Sequence, residues 1–247
     1  MHVLVLEDLA PARSGEIATG CSVEQAELAV RQIAGLHAAY WDSPQLAEMP
    51  WLPDLDEVFD FGAFQSTYQK LWAQVLKWTQ GQLPAPIVEI GEQCGKHVLA
   101  VVDQLFKTPP RTLLHFDHQL GNMVFGTPEG GVPFAVVDWQ LMTRGRGVFD
   151  VAYFLSENLQ PEDRRAKVMD LLRLYHHILV ENGVRGYTFD QCLHDYRFSL
   201  LFRLSYIVYT VTCVTNNDEG RLWFIGTALA RNNAAILDVN AGEVLPR

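Results

Sequence analysis

Apolar residues recur at helical spacing along most of the chain. Ser22 and Gln25 stand three residues apart as a capping box ahead of one apolar stripe, which predicts a first helix reaching toward Trp41. Another helix is predicted from Pro161 to Asn182, because proline suits a helix start and a glycine follows the end. The same spacing predicts further helices over residues 64–75, 86–105, 149–159, 188–215 and 221–239.

Apolar runs of strand length lie before and between these helices. Residues 2–6 predict a strand near the N terminus, and residues 113–114 predict a second short strand. A β-hairpin should follow, with residues 123–126 as its first arm and 132–138 as its second. Its turn, residues 127–131, contains proline and glycine. The predicted layout is many helices around a small central hairpin, which is an α+β fold.

The predicted hairpin brings polar residues from separate positions together. Its second arm returns beside the start of its first, so Asn122 and Asp138 should be neighbours, with Asp117 one loop away. Amide and carboxylate oxygens are hard ligands of the kind that Mg²⁺ prefers. Two such ligands beside a free carboxylate are what a magnesium-dependent phosphoryl transfer site needs.

Composition and charge narrow the class of protein. Of the 247 residues, 49% are hydrophobic and 19% charged, so the chain can bury a sizeable core, and no linker divides it. The formal net charge of −10 argues against nucleic acid as a partner, because phosphate contacts need a basic face. A nucleotide remains open, since a metal ion can bridge an acidic pocket to a polyphosphate.

Cysteine usage and hydropathy indicate a cytoplasmic protein. The four cysteines have no metal-like spacing and are expected to be reduced thiols: Cys21, Cys94, Cys192 and Cys213. The longest uncharged run, residues 204–217, is too short and too polar for a membrane span. Glu7 and Asp8 interrupt the apolar run near Met1, so no signal peptide is expected.

Several motifs, in this order along the chain, resemble the aminoglycoside phosphotransferase/choline kinase-like superfamily. They are His115-Phe116-Asp117 with Asn122 five residues on, Asp138-Trp139-Gln140, and the segment from Gly145 through Asp150 to Tyr153. Within that superfamily the chain looks closest to the ecdysteroid-kinase-like (CHK kinase-like) branch, which the segments 6–9 and 36–41 also resemble. The resemblance covers nearly the whole chain.

The resemblance implies a protein-kinase-like fold and an ATP- and Mg²⁺-dependent reaction. Asp117 matches the catalytic aspartate that orients the hydroxyl of a small-molecule acceptor. Asn122 and Asp138 match the magnesium ligands. The expected activity is transfer of the γ-phosphoryl group of ATP to that hydroxyl.

The resemblance also implies supporting residues and a nucleotide hinge. Asp150 matches the buried acid that supports the catalytic loop, and His115 is expected to brace that loop. The backbone of Glu7, Asp8 and Leu9 matches the hinge that would hydrogen-bond adenine. Residues 1–9 would then be a remnant of an N-lobe strand with its hinge, and residues 10–247 the helical C-lobe.

Two departures from the family pattern affect this interpretation. The family usually has glycine where this chain has Phe116, which adds bulk and restricts the backbone. The hinge-like segment begins at Glu7, and the first lysine is Lys70, so no glycine loop or phosphate-binding lysine precedes the hinge. The N-lobe would therefore be largely absent, to be completed by a partner chain or by a missing segment next to residues 1–9.

These departures leave alternatives open. The chain could be a truncated, catalytically impaired kinase-like fragment or pseudokinase. A weaker alternative is a metal-dependent phosphohydrolase that uses Asp117 and Asp138. Zinc bound by His115 and His118 is disfavoured, because no third ligand has suitable spacing. The acceptor is open too: the acidic balance suits a cationic acceptor such as an aminoglycoside or an amino alcohol, whereas the branch resemblance points to a sterol-like or other hydrophobic alcohol.

Other polar residues have competing interpretations. Arg144 and Arg146 would either contact phosphate or acceptor, or lie in a solvated loop. His37, on an apolar helix face, is expected to be a packed core histidine.

Overall fold

The computed structural model describes residues 3, 5–211 and 219–246. This part of the chain folds into a helical body with two small antiparallel sheets, and the α+β prediction is confirmed. The helices are α1 (Val23–Ala39), α2 (Leu55–Val58), α3 (Phe61–Trp78), α4 (Ala85–Val102), α5 (Val148–Asn158), α6 (Pro161–Glu181), α7 (Phe189–Val211) and α8 (Glu219–Asp238). Residues 212–215 of the helix predicted over 188–215 lie outside the described part.

Within the described residues, five short strands accompany the helices: β1 (Arg13–Ser14), β2 (Thr112–Leu114), β3 (Met123–Thr127), β4 (Gly130–Val136) and β5 (Thr143–Gly145). The predicted hairpin is confirmed as β3–β4, with Met123 opposite Val136 and an irregularity between Phe125 and Thr127. A second antiparallel pair joins β2 to β5. The loop formed by residues 115–122 therefore connects the two small sheets.

The N-terminal strand lies later in the chain than the sequence predicts. Residues 2 and 4 of the predicted strand are outside the described part, and Val3, Val5 and Leu6 are exposed and have no regular structure. The strand that forms is β1, which pairs with β3 on the side away from β4. Arg13 and Ser14 have little strand propensity of their own, so the exposed edge of the hairpin decides where the strand forms.

Capping and burial explain two of the key helices. Ser22 and Gln25 make the predicted capping box, with Gln25 N–H donating to Ser22 Oγ at 3.2 Å. Helix α5 is buried along its whole length and packs against α1, α6, α7 and α8. A helix surrounded by others is expected to be apolar on every face. The acids Asp150 and Glu157 on α5 therefore need hydrogen-bond or ion-pair partners, which are described below with the candidate active site.

Arg144 and Arg146 do not lie in a solvated loop, because Arg144 is part of β5 and Arg146 is buried; a contact of either with phosphate or acceptor stays a prediction. Arg144 donates to the backbone carbonyls of Met49 and Leu52, at 3.1 and 2.8 Å. Arg146 is buried, and its Nε donates to the carbonyl oxygen of Gln104 at 3.3 Å. Both arginines thus anchor connecting segments to the sheet β2–β5.

The contact between α3 and α4 gives a stability test. A Cβ at Gly91 would clash with the indole ring of Trp72, which is buried. We expect Gly91→Ala to lower the free energy of unfolding by about 1–3 kcal/mol, because a well-packed core resists added volume. Urea unfolding would measure the change.

The matched control is Gly35→Ala in the exposed middle of α1. A Cβ there has nothing within 4 Å, so the substitution should stabilise by about 1 kcal/mol through helix propensity. Equal effects of the two substitutions would contradict the packing described here.

Candidate active site

The carboxylate of Asp117 is held by a donor on each oxygen. Asn122 Nδ2 donates to Asp117 Oδ2 at 2.9 Å and also to the Asp117 carbonyl at 2.9 Å. The Tyr153 hydroxyl donates to Asp117 Oδ1 at 3.1 Å. The structure therefore places Asp117 beside Asn122, and its side chain remains partly open to solvent. Its catalytic role stays a prediction.

Asp138 follows the strand that pairs with the start of β3. The Val137 N–H donates to the Asn122 carbonyl at 2.9 Å, which continues the hairpin one step beyond Val136. Asp138 is exposed and has a left-handed backbone, with φ 64° and ψ 58°. Aspartate is among the few residues that tolerate this conformation, which ends the strand sharply.

The donor set at this point suits Mg²⁺. The amide nitrogen of Asn122 is occupied by Asp117, so its Oδ1 is the atom left to act as a ligand. With the Asp138 carboxylate it would supply two hard oxygens, as magnesium sites usually do. Within the described residues, no three His, Cys, Asp or Glu side chains gather as a metal site.

Asp150 connects the loop to the buried helix α5. Its carboxylate accepts from the backbone N–H groups of His115 and Phe116, at 2.8 and 2.9 Å. Burial alone would raise the pKa of Asp150, but the hydrogen bond and nearby charge of His37 hold that pKa below its usual value. The acid is therefore ionised and fixes the backbone immediately before Asp117.

His37 is a packed core histidine, as the sequence predicts, and it also has two polar partners. It is fully buried, with Nε2 at 3.2 Å from Asp150 Oδ2 and Nδ1 at 2.9 Å from the Tyr175 hydroxyl. The sequence interpretation missed this link. The sequence did contain a signal for such partners. A histidine on an apolar helix face is expected to be buried, and buried polar atoms need hydrogen-bond partners.

The rings of His115 and His118 lie edge to face, with their centroids 6.0 Å apart. His115 Nε2 is 2.9 Å from the Val137 carbonyl, so it must carry the proton, and it braces the strand end next to Asp138. His118 is buried, with Nδ1 at 3.4 Å from the Asp150 carbonyl. Both histidines are placed to hold the loop.

Phe116 takes the left-handed conformation in the position where the family usually has glycine. Its φ is 67°, which costs a non-glycine residue about 1–2 kcal/mol. The side chain is buried, stacked on Phe149 at 5.1 Å and edge-on to Phe106 at 5.9 Å. Burial of a phenyl ring contributes about 1.5–3 kcal/mol, which offsets the backbone cost.

Tyr153, Glu157 and Arg203 are site residues to which the sequence interpretation gave no role. Tyr153 lies three residues after Asp150 on α5, which puts both on one helix face. Arg203, on α7, stacks on the Tyr153 ring and pairs with Glu157. The helical spacing from Asp150 could have identified Tyr153, but nothing local in the sequence points to Arg203.

The hinge-like segment, residues 7–9, precedes strand β1, which pairs with β3 of the hairpin. Glu7 and Asp8 are exposed and Leu9 is half-buried. The Leu9 carbonyl accepts from the Ala12 N–H at 3.0 Å, in a turn that leads to β1. No hydrogen bond among the described residues joins this segment to Asp117, Asn122 or Asp138, and adenine binding by residues 7–9 stays a prediction.

Comparison with solved structures gives the fold class. A crystal structure of a candidate aminoglycoside phosphotransferase from Ralstonia eutropha JMP134 matches 99% of this chain and 72% of that chain. The TM-score is 0.50 and the identity 17%, so the likeness concerns the fold. The chain has a kinase-like α+β fold, as the motifs predicted.

Family assignment follows from the sequence comparison. The model of the ecdysteroid kinase-like family matches residues 1–185. The chain belongs to the ecdysteroid kinase-like family, and the resemblance drawn from its motifs is confirmed. No curated protein matches it significantly. Within the described residues, no helix combines the length and apolar character needed to cross a membrane.

Buried His118 makes stability depend on pH. Burial lowers its pKa from 6.5 to about 4, so between these values the unfolded chain binds a proton that the folded chain does not. Stability that is present above pH 6.5 is therefore lost as the pH falls toward 4. Because of His118, we expect the free energy of unfolding to fall by about 2 kcal/mol when the pH is lowered from about 7 to about 5.

Urea unfolding of the wild type and of His118→Gln at both pH values measures the part of this loss of stability that His118 causes. The substitution should flatten the pH dependence, whereas His177→Gln, at an exposed position of α6, should leave it unchanged. The same pH dependence in wild type and His118→Gln would contradict the assignment.

Proposed function

We propose that the protein is an ATP- and Mg²⁺-dependent phosphotransferase that moves the γ-phosphoryl group to a hydroxyl of a small molecule. Family membership and the kinase-like fold support a small-molecule kinase-like function. The proposal of ATP- and Mg²⁺-dependent transfer rests on the Asp117 carboxylate. This carboxylate is held between Asn122 and Tyr153, and Asn122 lies next to the strand end that bears Asp138.

Asp117 would act on the acceptor. The acceptor hydroxyl donates to the carboxylate, its oxygen forms a bond to the γ-phosphorus, and the bond from that phosphorus to the bridging oxygen of ADP breaks. The hydroxyl proton passes to Asp117. Reactions of this kind depend mainly on positioning and charge stabilisation. The hydrogen bonds from Asn122 and Tyr153 set the carboxylate in place before the acceptor arrives.

Asn122 and Asp138 would hold the magnesium ion. When bound, Mg²⁺ neutralises charge on the β- and γ-phosphates. Asn122 offers Oδ1 because its amide nitrogen is held by Asp117. The position of Asp138 is fixed by its left-handed backbone and by the hydrogen bond from His115 to the carbonyl of the preceding residue, Val137.

The nucleotide base would lie against the backbone of Glu7, Asp8 and Leu9. These residues precede β1, which is part of the same sheet as the hairpin. In this proposal residues 1–9 are the end of an N-lobe and residues 10–247 the helical lobe. A further segment or a partner chain beside residues 1–9 would complete the nucleotide site.

A cytoplasmic location is part of the proposal. Three described cysteines are free and buried: Cys21, Cys94 and Cys192. Burial raises the pKa of each thiol to about 12, which keeps it protonated and unreactive. Free, inert thiols are typical of proteins in a reducing compartment.

Asp117→Asn tests the proposed reaction. The substitution keeps the shape of the side chain but removes the proton acceptor, so ADP formation in the presence of Mg²⁺-ATP and a panel of small alcohols should fall about 10²–10⁴-fold. Affinity for Mg²⁺-ATP, followed by calorimetry, should change by less than about two-fold, because Asp117 is not a proposed metal ligand.

The matched control is Asp170→Asn, an isosteric change at an exposed position of α6. It should retain wild-type turnover. Wild-type turnover in Asp117→Asn would contradict the role of that residue, and phosphate release from substrates without nucleotide would favour a phosphohydrolase.

A further inference from the structure

We infer that Tyr153 is a positioning residue that sets the plane of the Asp117 carboxylate, and that the Arg203–Glu157 ion pair locks Tyr153 in place. This inference deepens the proposed function and rests on Asp117 being the residue that receives the acceptor proton. Neither family membership nor the loop motif specifies these contacts between α5 and α7.

Two donors on different oxygens fix a carboxylate better than one. Asn122 holds Oδ2 of Asp117 at 2.9 Å, and Tyr153 holds Oδ1 at 3.1 Å. With Asn122 alone, the group could turn about its Cβ–Cγ bond and redirect its lone pairs. With both donors the orientation is fixed, and a small misplacement of a catalytic group can cost a large factor in rate.

The Tyr153 ring is itself held. The Arg203 guanidinium carbon lies 3.5 Å from the ring centroid, a close cation–π contact. Arg203 Nε and Nη2 donate to Glu157 Oε1 at 2.8 and 2.7 Å. Glu157 lies one turn after Tyr153 on α5, so α5 and α7 together clamp the phenol.

The burial of this group agrees with a positioning role. Arg203 and Glu157 are each about 4% exposed, and a buried ion pair gains little net stability over apolar residues of similar volume. Burial also raises the pKa of Tyr153 well above its usual value, so the hydroxyl stays protonated and remains a donor. The charged groups facing it are Arg203, Glu157 and Asp117.

Tyr153→Phe isolates the hydroxyl, since the ring can remain under Arg203. The chain offers a close control in Tyr187→Phe. The Tyr187 hydroxyl is also buried and also donates to a carboxylate, Asp195 Oδ2, at 3.1 Å. Each variant loses one tyrosine–carboxylate hydrogen bond, so both should lose a similar amount of stability in urea unfolding. Only the first changes the surroundings of Asp117.

Two readouts test the inference: crystal structures of both variants, and ADP formation from Mg²⁺-ATP with the alcohol panel. In Tyr153→Phe we expect the Asp117 carboxylate to rotate or to occupy two orientations. Its kcat should fall about 10- to 100-fold, with KM for ATP within about two-fold of wild type. Tyr187→Phe should show neither change.

An unmoved Asp117 carboxylate in Tyr153→Phe overturns the inference, and so does an unchanged kcat or an equal loss of kcat in Tyr187→Phe. If the wild type forms no ADP under any condition, the proposed function fails. The carboxylate orientation in the two crystal structures then decides the role of Tyr153 by itself.

Discussion

The site depends on one buried carboxylate. Asp150, in the first turn of α5, accepts two backbone N–H groups from the loop before Asp117 and lies against the ring of His37. A buried backbone N–H without a partner costs free energy comparable to a lost hydrogen bond. The loop can therefore take only a path that keeps both N–H groups on this acid. Phe116 accepts a left-handed backbone on that path.

Helix α5 carries a line of polar residues through an otherwise apolar interior. Asp150 fixes the loop backbone, Tyr153 contacts the Asp117 carboxylate, and Glu157 binds Arg203. They are spaced three and four residues apart, so they share a face of the helix. Buried polar networks are stabilising only when their members are paired. This network fixes the conformation of the loop. The pairing of β3 with β4 then places the strand end that bears Asp138 next to Asn122.

The features that could be predicted from sequence are those with local causes. The capping box at Ser22, the helical spacing and the turn-rich segment of the hairpin depend on residues close in the chain. The nearness of Asn122 to the strand end that bears Asp138 follows from hairpin register, which the turn fixes, whereas the hydrogen bond from Asn122 to Asp117 belongs to the loop before the hairpin. The contacts that escaped prediction join distant residues: His37 meets Asp150 across 113 positions, and Arg203 meets Glu157 across 46. Strand β1 forms because the hairpin edge is available, not because Arg13 and Ser14 favour strands.

The proposed metal–nucleotide site lies at the hairpin end beside Asp117. Calorimetric titration of the wild type and of Asp138→Asn with ATP in excess Mg²⁺ measures whether a metal–nucleotide complex binds there. We expect micromolar binding to the wild type, weakened by about tenfold or more in the variant, because an amide is a poorer magnesium ligand than a carboxylate. No binding to the wild type, or equal affinity in the two proteins, would rule out a metal–nucleotide complex held by Asp138.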